Sequence, residues 1–306
     1  MTLAGVSQSF RHGSDLLRRL AGWSACHEVI RQACYRQADA ASSRREASAP
    51  ETGPFRDARG QAEFQADATK VNTLDGWRDM KIGVFLRRVP GEPATAEQWD
   101  KRKLPAPAAR LAFAAIEEIA EFSPRWRAWA KRLGLLSEQV SVLGDGADWI
   151  WDHAALRFDD WKGTLDVFHA GEWLARLAKA GCGEGTPQAA RWLKEARQAL
   201  LEDGYAGLCE YLGRSASWVP DRAKLEAAAP EVLNYFCGHK DRLSYALRLR
   251  QGLPIGSGLI EGACKQMIGR RMKQTGAQWA VRNADRMALL CSLAYSDCLP
   301  LYFTSA

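Results

Sequence analysis

Residues 62–89 read AEFQADATKVNTLDGWRDMKIGVFLRRV, and how this stretch folds decides the architecture. Within 78–89, Ile82, Val84 and Leu86 fall at every second position, the period of a strand with one buried face. AEFQADATKVN, residues 62–72, has the character of a neighbouring strand, and it carries the acid Asp67 in its middle. An acid inside an apolar strand is costly unless it is paired, hydrogen-bonded or bound to a cation.

Outward from this pair, the proline-bearing GEPATAEQWDKRKLPAPAA is a loop, and a long helix is expected over about 110–133, with Leu111, Ile116, Ile119 and Trp126 among its apolar positions. SEQVSVLGDGADWIW, 137–151, predicts a buried strand ending at Asp145, which stands between Gly144 and Gly146. After a short helix, GTLDVFHA, 163–170, predicts a further strand. From Gly171 to Arg250 the pattern is helical, broken at GCGEGTP and SASWVP, and the turn LPIGSG leads into a final helix pair, 258–274 and 279–297. Strands alternating with helices predict an α/β sheet flanked by helices.

Upstream, residues 8–37 predict two short helices around Gly22, with the spacing of a helix-turn-helix or of a plain helical hairpin. The polar ASSRREASAPETGPFRDARGQ reads as a linker. The expected division is a helical segment 1–45, a linker 46–61, a first core part 62–170, a helical block 171–250 and C-terminal helices 251–298.

Net charge is +6, but its distribution carries more information. Residues 240–290 hold ten Lys/Arg against three acids, a net of +7, and residues 1–50 hold seven Arg against four acids. Positive charge gathered at the two ends favours a polyanionic partner, with a solvated helix face as the alternative. Eight cysteines at irregular spacing, with no CxxC, read as reduced thiols and speak against a zinc site. Neither a signal-peptide core nor an apolar run long enough for a membrane span is visible, so the expected compartment is the cytoplasm.

Three acids are the candidates for chemistry. Glycines on both sides of Asp145 let the backbone turn sharply at the carboxyl end of a strand, where open α/β sheets place their ligands. Glu261 lies in the first turn of the helix after GSG, favoured there by the helix dipole. Convergence of Asp67, Asp145 and Glu261 would make an all-oxygen site suited to two Mg²⁺ ions, or Mn²⁺, in phosphodiester chemistry. The alternatives are ordinary: a strand-edge acid, an Asp-Gly turn, and an i, i+4 surface pair of Glu261 with Lys265.

The stretches FQADATKVNTLDGWRDMKIGVF, SVLGDGADWIWD, GTLDVFHAGEWL and GLPIGSGLIEGACKQMIGRRMKQTGAQW, in this order, resemble DDE transposases of bacterial insertion sequences, in the Kra- and Lre-type group. GSGxxExxCK is the most specific of these motifs, and the likeness spans about residues 8–295. It implies an RNase H-like core, with 171–250 as a helical insertion between the second and third acids. It implies Asp67, Asp145 and Glu261 as catalytic metal ligands, with Asp166 and His169 of DVFHA supporting them. Lys265, Arg270, Arg271 and Lys273 would contact DNA phosphates. Trp279 would stack on an unpaired base, unless it is simply a core Trp. The implied activity is metal-dependent cleavage at an element's ends and joining of the 3′ hydroxyls to target DNA. The implied partners are terminal inverted repeats, target DNA and a second copy of the chain in the synaptic complex. Family members carry more protein before the helix-turn-helix region, so a truncated, non-catalytic DNA-binding remnant is one alternative and a structure-selective nuclease is another.

Overall fold

The computed structural model describes residues 1–303. The chain opens with four helices, α1 (Thr2–Ser7), α2 (Phe10–Ala21), α3 (His27–Ala47) and α4 (Thr52–Asp57), followed by the long hairpin β1 (Gln61–Thr73) and β2 (Gly76–Arg88). Next come β3 (Ala109–Ala115), α5 (Ile119–Phe122), α6 (Pro124–Leu133), β4 (Val140–Gly144), α7 (Asp148–Arg157) and β5 (Trp161–Leu165). Four helices succeed them, α8 (Val167–Cys182), α9 (Pro187–Ser215), α10 (Arg222–Gly238) and α11 (Tyr245–Arg250). The chain closes with α12 (Gly258–Ala263), a π-helical turn (Cys264–Gly269), α13 (Arg270–Met272) and α14 (Val281–Tyr295).

The five strands form one mixed sheet in the order β3-β2-β1-β4-β5. The β1–β2 and β2–β3 pairs are antiparallel, and β1–β4 and β4–β5 are parallel. The expected α/β sheet flanked by helices is what the chain forms. Side chains alternate across it as the period of two requires. Ile82, Val84 and Leu86 enter a core shared with α3, α12, the π-helical turn and α14. Phe64, Phe85 and Phe113 face the other way, into a larger core with α4, α6, α7 and the helices α8–α11.

Three expectations are corrected. Residues 109–115 are a strand, not the start of a helix running to 133. The alanines of ARLAFAA are good helix formers, but Leu111 and Phe113 fill one core while Ala112 faces the other, and pairing with β2 overrides that weak propensity. GTLDVFHA is a strand only to Leu165, because Asp166 accepts from the Phe168 and His169 N–H groups and so caps α8. The polar 46–61 stretch is no open linker, since α3 runs to Ala47 and α4 follows within five residues. One ion pair anchors it to the core: Arg45 Nε lies 2.6 Å from buried Glu51 Oε1, and Arg45 also donates to the Ala112 carbonyl at 2.9 Å and covers the Trp129 ring. Ile30, Cys34, Ala38 and Ala41 of α3 belong to the same core as β2 and α14.

All eight cysteines are free thiols. Among the described residues, no helix is long and apolar enough to cross a membrane.

Candidate active site

Strand register brings distant acids to one level. Gln65 on β1 pairs with Leu143 on β4, and continuing that parallel register by two residues sets Asp67 beside Asp145. Gly144 on β4 pairs with Leu165 on β5, so Asp166 comes next in the same row. The row lies at the carboxyl ends of the parallel strands, where β4 gives way to the Gly144-Asp145-Gly146 turn. Gly146 adopts φ +99°, and a β-carbon there would clash with the Tyr235 hydroxyl, so only glycine fits. That hydroxyl donates to the Asp145 carbonyl at 3.1 Å, and Asp145 Oδ1 accepts from the Ala147 N–H at 3.0 Å.

The helical segment carrying Glu261 lies along β1. Three side chains from one face of the strand meet it in order. Gln65 Oε1 accepts from the Ile260 N–H at 3.0 Å, Asp67 Oδ2 accepts from the Cys264 thiol at 3.5 Å, and Thr69 accepts from the Lys273 ammonium. Two residues of strand advance about 6.6 Å and four of helix about 6 Å, so Ile260 and Cys264 match Gln65 and Asp67 in step. The π-helical turn begins at Cys264, an irregularity frequent at functional sites.

Asp67 is half-buried. Burial pushes its carboxyl above the ordinary carboxylate range, the Ala68 N–H partly offsets this, and the neighbouring charge of Asp145 adds to the rise. Burial also raises the Cys264 thiol far above its usual value, helped by the charge of Asp67 and, more weakly, by that of Glu261. Asp67 and Asp145 thus act on each other, and Glu261 reaches the Cys264 thiol that meets Asp67. Glu261 itself is engaged by Lys265, whose Nζ stands 3.4 Å from Glu261 Oε2. Among the described residues, no group of three or more His, Cys, Asp or Glu side chains stands ready-made to hold a metal ion. The donor set, all carboxylate oxygen, suits Mg²⁺ or Mn²⁺ in kind, and Asp67 beside Asp145 is a like-charge pair that a divalent cation would relieve.

The other residues singled out from sequence fall into two groups. Lys265, Arg270 and Lys273 are exposed on the helix beside the acids. Arg271 is buried, donating to the Gly5 carbonyl at 2.6 Å and lying over the Phe10 and Trp279 rings. Trp279 is buried too, its indole N–H spent on the Met272 carbonyl at 3.1 Å and its backbone tied to Asn72 and Leu74. These two hold the β1–β2 hairpin and the N-terminal helices to the C-terminal layer, and neither presents a face to a nucleic acid. His169 is partly exposed, with Nδ1 3.4 Å from Glu172 Oε2. Ser257 and Cys264 stood in the quoted GSGxxExxCK motif without an assigned role, and Tyr235 carried no signal that sequence could have offered.

A cleft of about 1000 Å³ lies under the loop 90–105, and one of about 540 Å³ is lined by α3, β3 and α14. Neither includes any of the three acids. No protein-family model and no curated protein matches this chain.

Proposed function

We propose that the chain is a DDE transposase of an insertion sequence, cutting DNA at the element's ends and transferring the freed 3′ hydroxyls to target DNA. The observation that carries this reading is the register match of Asp67 with Asp145 on adjacent parallel strands, with the Glu261 helix laid along β1. A sheet ordered β3-β2-β1-β4-β5, with α8–α11 interposed before α12, is compatible with an RNase H-like core carrying a helical insertion.

In this reading Asp67, Asp145 and Glu261 hold two Mg²⁺ ions, or Mn²⁺. Bound there, such ions would activate an attacking oxygen and stabilise a leaving one. Water and then a 3′ hydroxyl serve as nucleophiles, with no covalent protein–DNA intermediate. Exposed Lys265, Arg270 and Lys273 seat the backbone phosphates beside the acids. Lys265 pairs with Glu261 at 3.4 Å and is exposed, so it would be free to turn to a DNA phosphate were Glu261 to hold a cation. Two copies of the chain pair the element's ends, in the cytoplasm with the chromosome.

A second reading, a DNA-binding remnant without catalysis, draws on the Glu261–Lys265 pair and on the missing ready-made metal group among the described residues. Incubating DNA that carries the flanks of the coding region with the chain and Mg²⁺ separates them. The transposase gives nicks at defined ends, lost with chelator and in Asp145→Asn. Binding to the ends without metal-dependent cutting overturns it in favour of the remnant. Equal cutting of DNA without those ends overturns it in favour of a structure-selective nuclease.

A further inference from the structure

Asp166 is fully buried at the row of acids, and its carboxylate bonds only to the start of α8 and to Ser257. Its Oδ1 accepts from the Phe168 and His169 N–H groups at 2.7 and 2.9 Å, capping the first helix of the α8–α11 block. Its Oδ2 accepts from the Ser257 hydroxyl at 2.8 Å and from the Ser257 backbone N–H. Ser257 is the residue before α12, four positions ahead of Glu261. Gly256 closes the approach: a β-carbon there would press on the Phe168 ring at 3.1 Å and lie 3.5 Å from Asp166 Oδ2. The preceding residues are fastened to α8, to α11 and to the loop 90–105. The Val167 N–H donates to the Ile255 carbonyl at 3.0 Å, the Arg248 guanidinium to the Pro254 carbonyl at 2.7 Å, and Arg102 to the Leu253 carbonyl at 2.7 Å.

We infer that Asp166 is a positioning residue: one oxygen holds the insertion helix α8, the other holds the turn that opens α12, so that the insertion and Glu261 move as one body. The role rests on the transposase reading for its chemistry, but the coupling itself is a property of the fold. It gives the α8–α11 block a direct hand on the third acid. Displacement of the insertion, as by DNA seated against it, would carry the 256–261 turn with it.

The two oxygens divide the labour, which makes a selective variant available. In Asp166→Asn, the amide oxygen can still cap α8, since Asn caps as well as Asp. The amide nitrogen then faces two donors of Ser257 and can accept from neither. Hydrogen exchange on the full-length chain should show 256–261 exchanging faster by about tenfold or more, the factor a lost bond to a charged acceptor is worth, with 167–171 unchanged. Cutting of end-bearing DNA should fall, and its half-saturating Mg²⁺ concentration should rise, at unchanged DNA affinity. Ser257→Ala, which removes only the hydroxyl arm, should show the same pattern in weaker form and serves if Asp166→Asn does not fold. Unchanged exchange over 256–261 in a folded Asp166→Asn overturns the proposal, as does an equal loss of DNA affinity and cutting. Faster exchange together with a wild-type chain that cuts no DNA sinks the transposase reading and leaves the coupling standing.

Discussion

Replacing Asp145 by Asn should make the protein more stable while removing its proposed activity. The substitution keeps shape and the oxygen that accepts from the Ala147 N–H, and it deletes the charge beside Asp67. Neighbouring strands lie roughly 5 Å apart, where two unit charges repel by about 3 kcal/mol at an effective dielectric of 20 and by under about 1 kcal/mol in bulk water. At a half-buried rim about 1 kcal/mol is the fitting figure. With about 2.1 cal/mol/K of unfolding entropy per residue over 306 residues, that gain raises Tm by about 1.5 °C. The pH dependence has a definite sign. Asp67 in the folded chain keeps its proton to higher pH than in the unfolded chain, so its contribution to stability is present at low pH and is lost as pH rises through the raised pKa. The advantage of Asp145→Asn should therefore be full at neutral pH and fade as pH falls and Asp67 takes up its proton. Calorimetry or urea unfolding across that range reads it, and added Mg²⁺ should raise the Tm of the wild type but not of the variant. A variant less stable than wild type at neutral pH, or a gain independent of pH, refutes the placement of the two acids side by side.

Glu51→Gln should cost about 3–5 kcal/mol by urea unfolding, because it leaves the Arg45 guanidinium buried without its counter-charge. Lys265→Gln should leave the fold intact, weaken DNA binding and lower the slope of log K against log salt by about 1, read by titration at several salt concentrations. Trp279→Ala should lower stability by about 3–5 kcal/mol, more than any stacked base is worth, because it empties a core position between Phe10 and Arg271; an unchanged Tm would favour the base-stacking alternative over the core one.

The sheet was legible where one face is unambiguous, as in Ile82, Val84 and Leu86. It was illegible where small residues hide the alternation, since ARLAFAA shows its period only once Leu111 and Phe113 have a core to fill. Charge misled more often than hydropathy. Arg45, Arg248 and Arg271 look like surface cations in the sequence, yet each is buried on backbone carbonyls or a carboxylate, and Arg286 is taken by Asp39 at 2.5 Å. The basic surface beside the acids is therefore narrower than the tally over 240–290 implied. Asp166 and Ser257 lie 91 positions apart, and nothing in local spacing connects them.

What separates the acids of the row is not their type or level but the lone pairs their surroundings leave free. Asp166 accepts from three N–H groups and one hydroxyl, which fills both oxygens and removes it as a ligand for anything mobile. Asp67 gives one oxygen to the Ala68 N–H, and the other meets only the Cys264 thiol at 3.5 Å, a weak donor that a cation would readily displace. Asp145 commits one oxygen to the Ala147 N–H, and its carbonyl, not its carboxylate, takes the Tyr235 hydroxyl. Ligand capacity thus falls on the β1 and β4 acids and is withheld from the β5 acid, whose full complement of bonds suits it to hold the backbone still. Glu261 is a third case, with one oxygen facing the exposed Lys265 and the other without a bond among the described residues. An exposed pair of this kind is worth at most about 1 kcal/mol, so freeing Glu261 from Lys265 costs little.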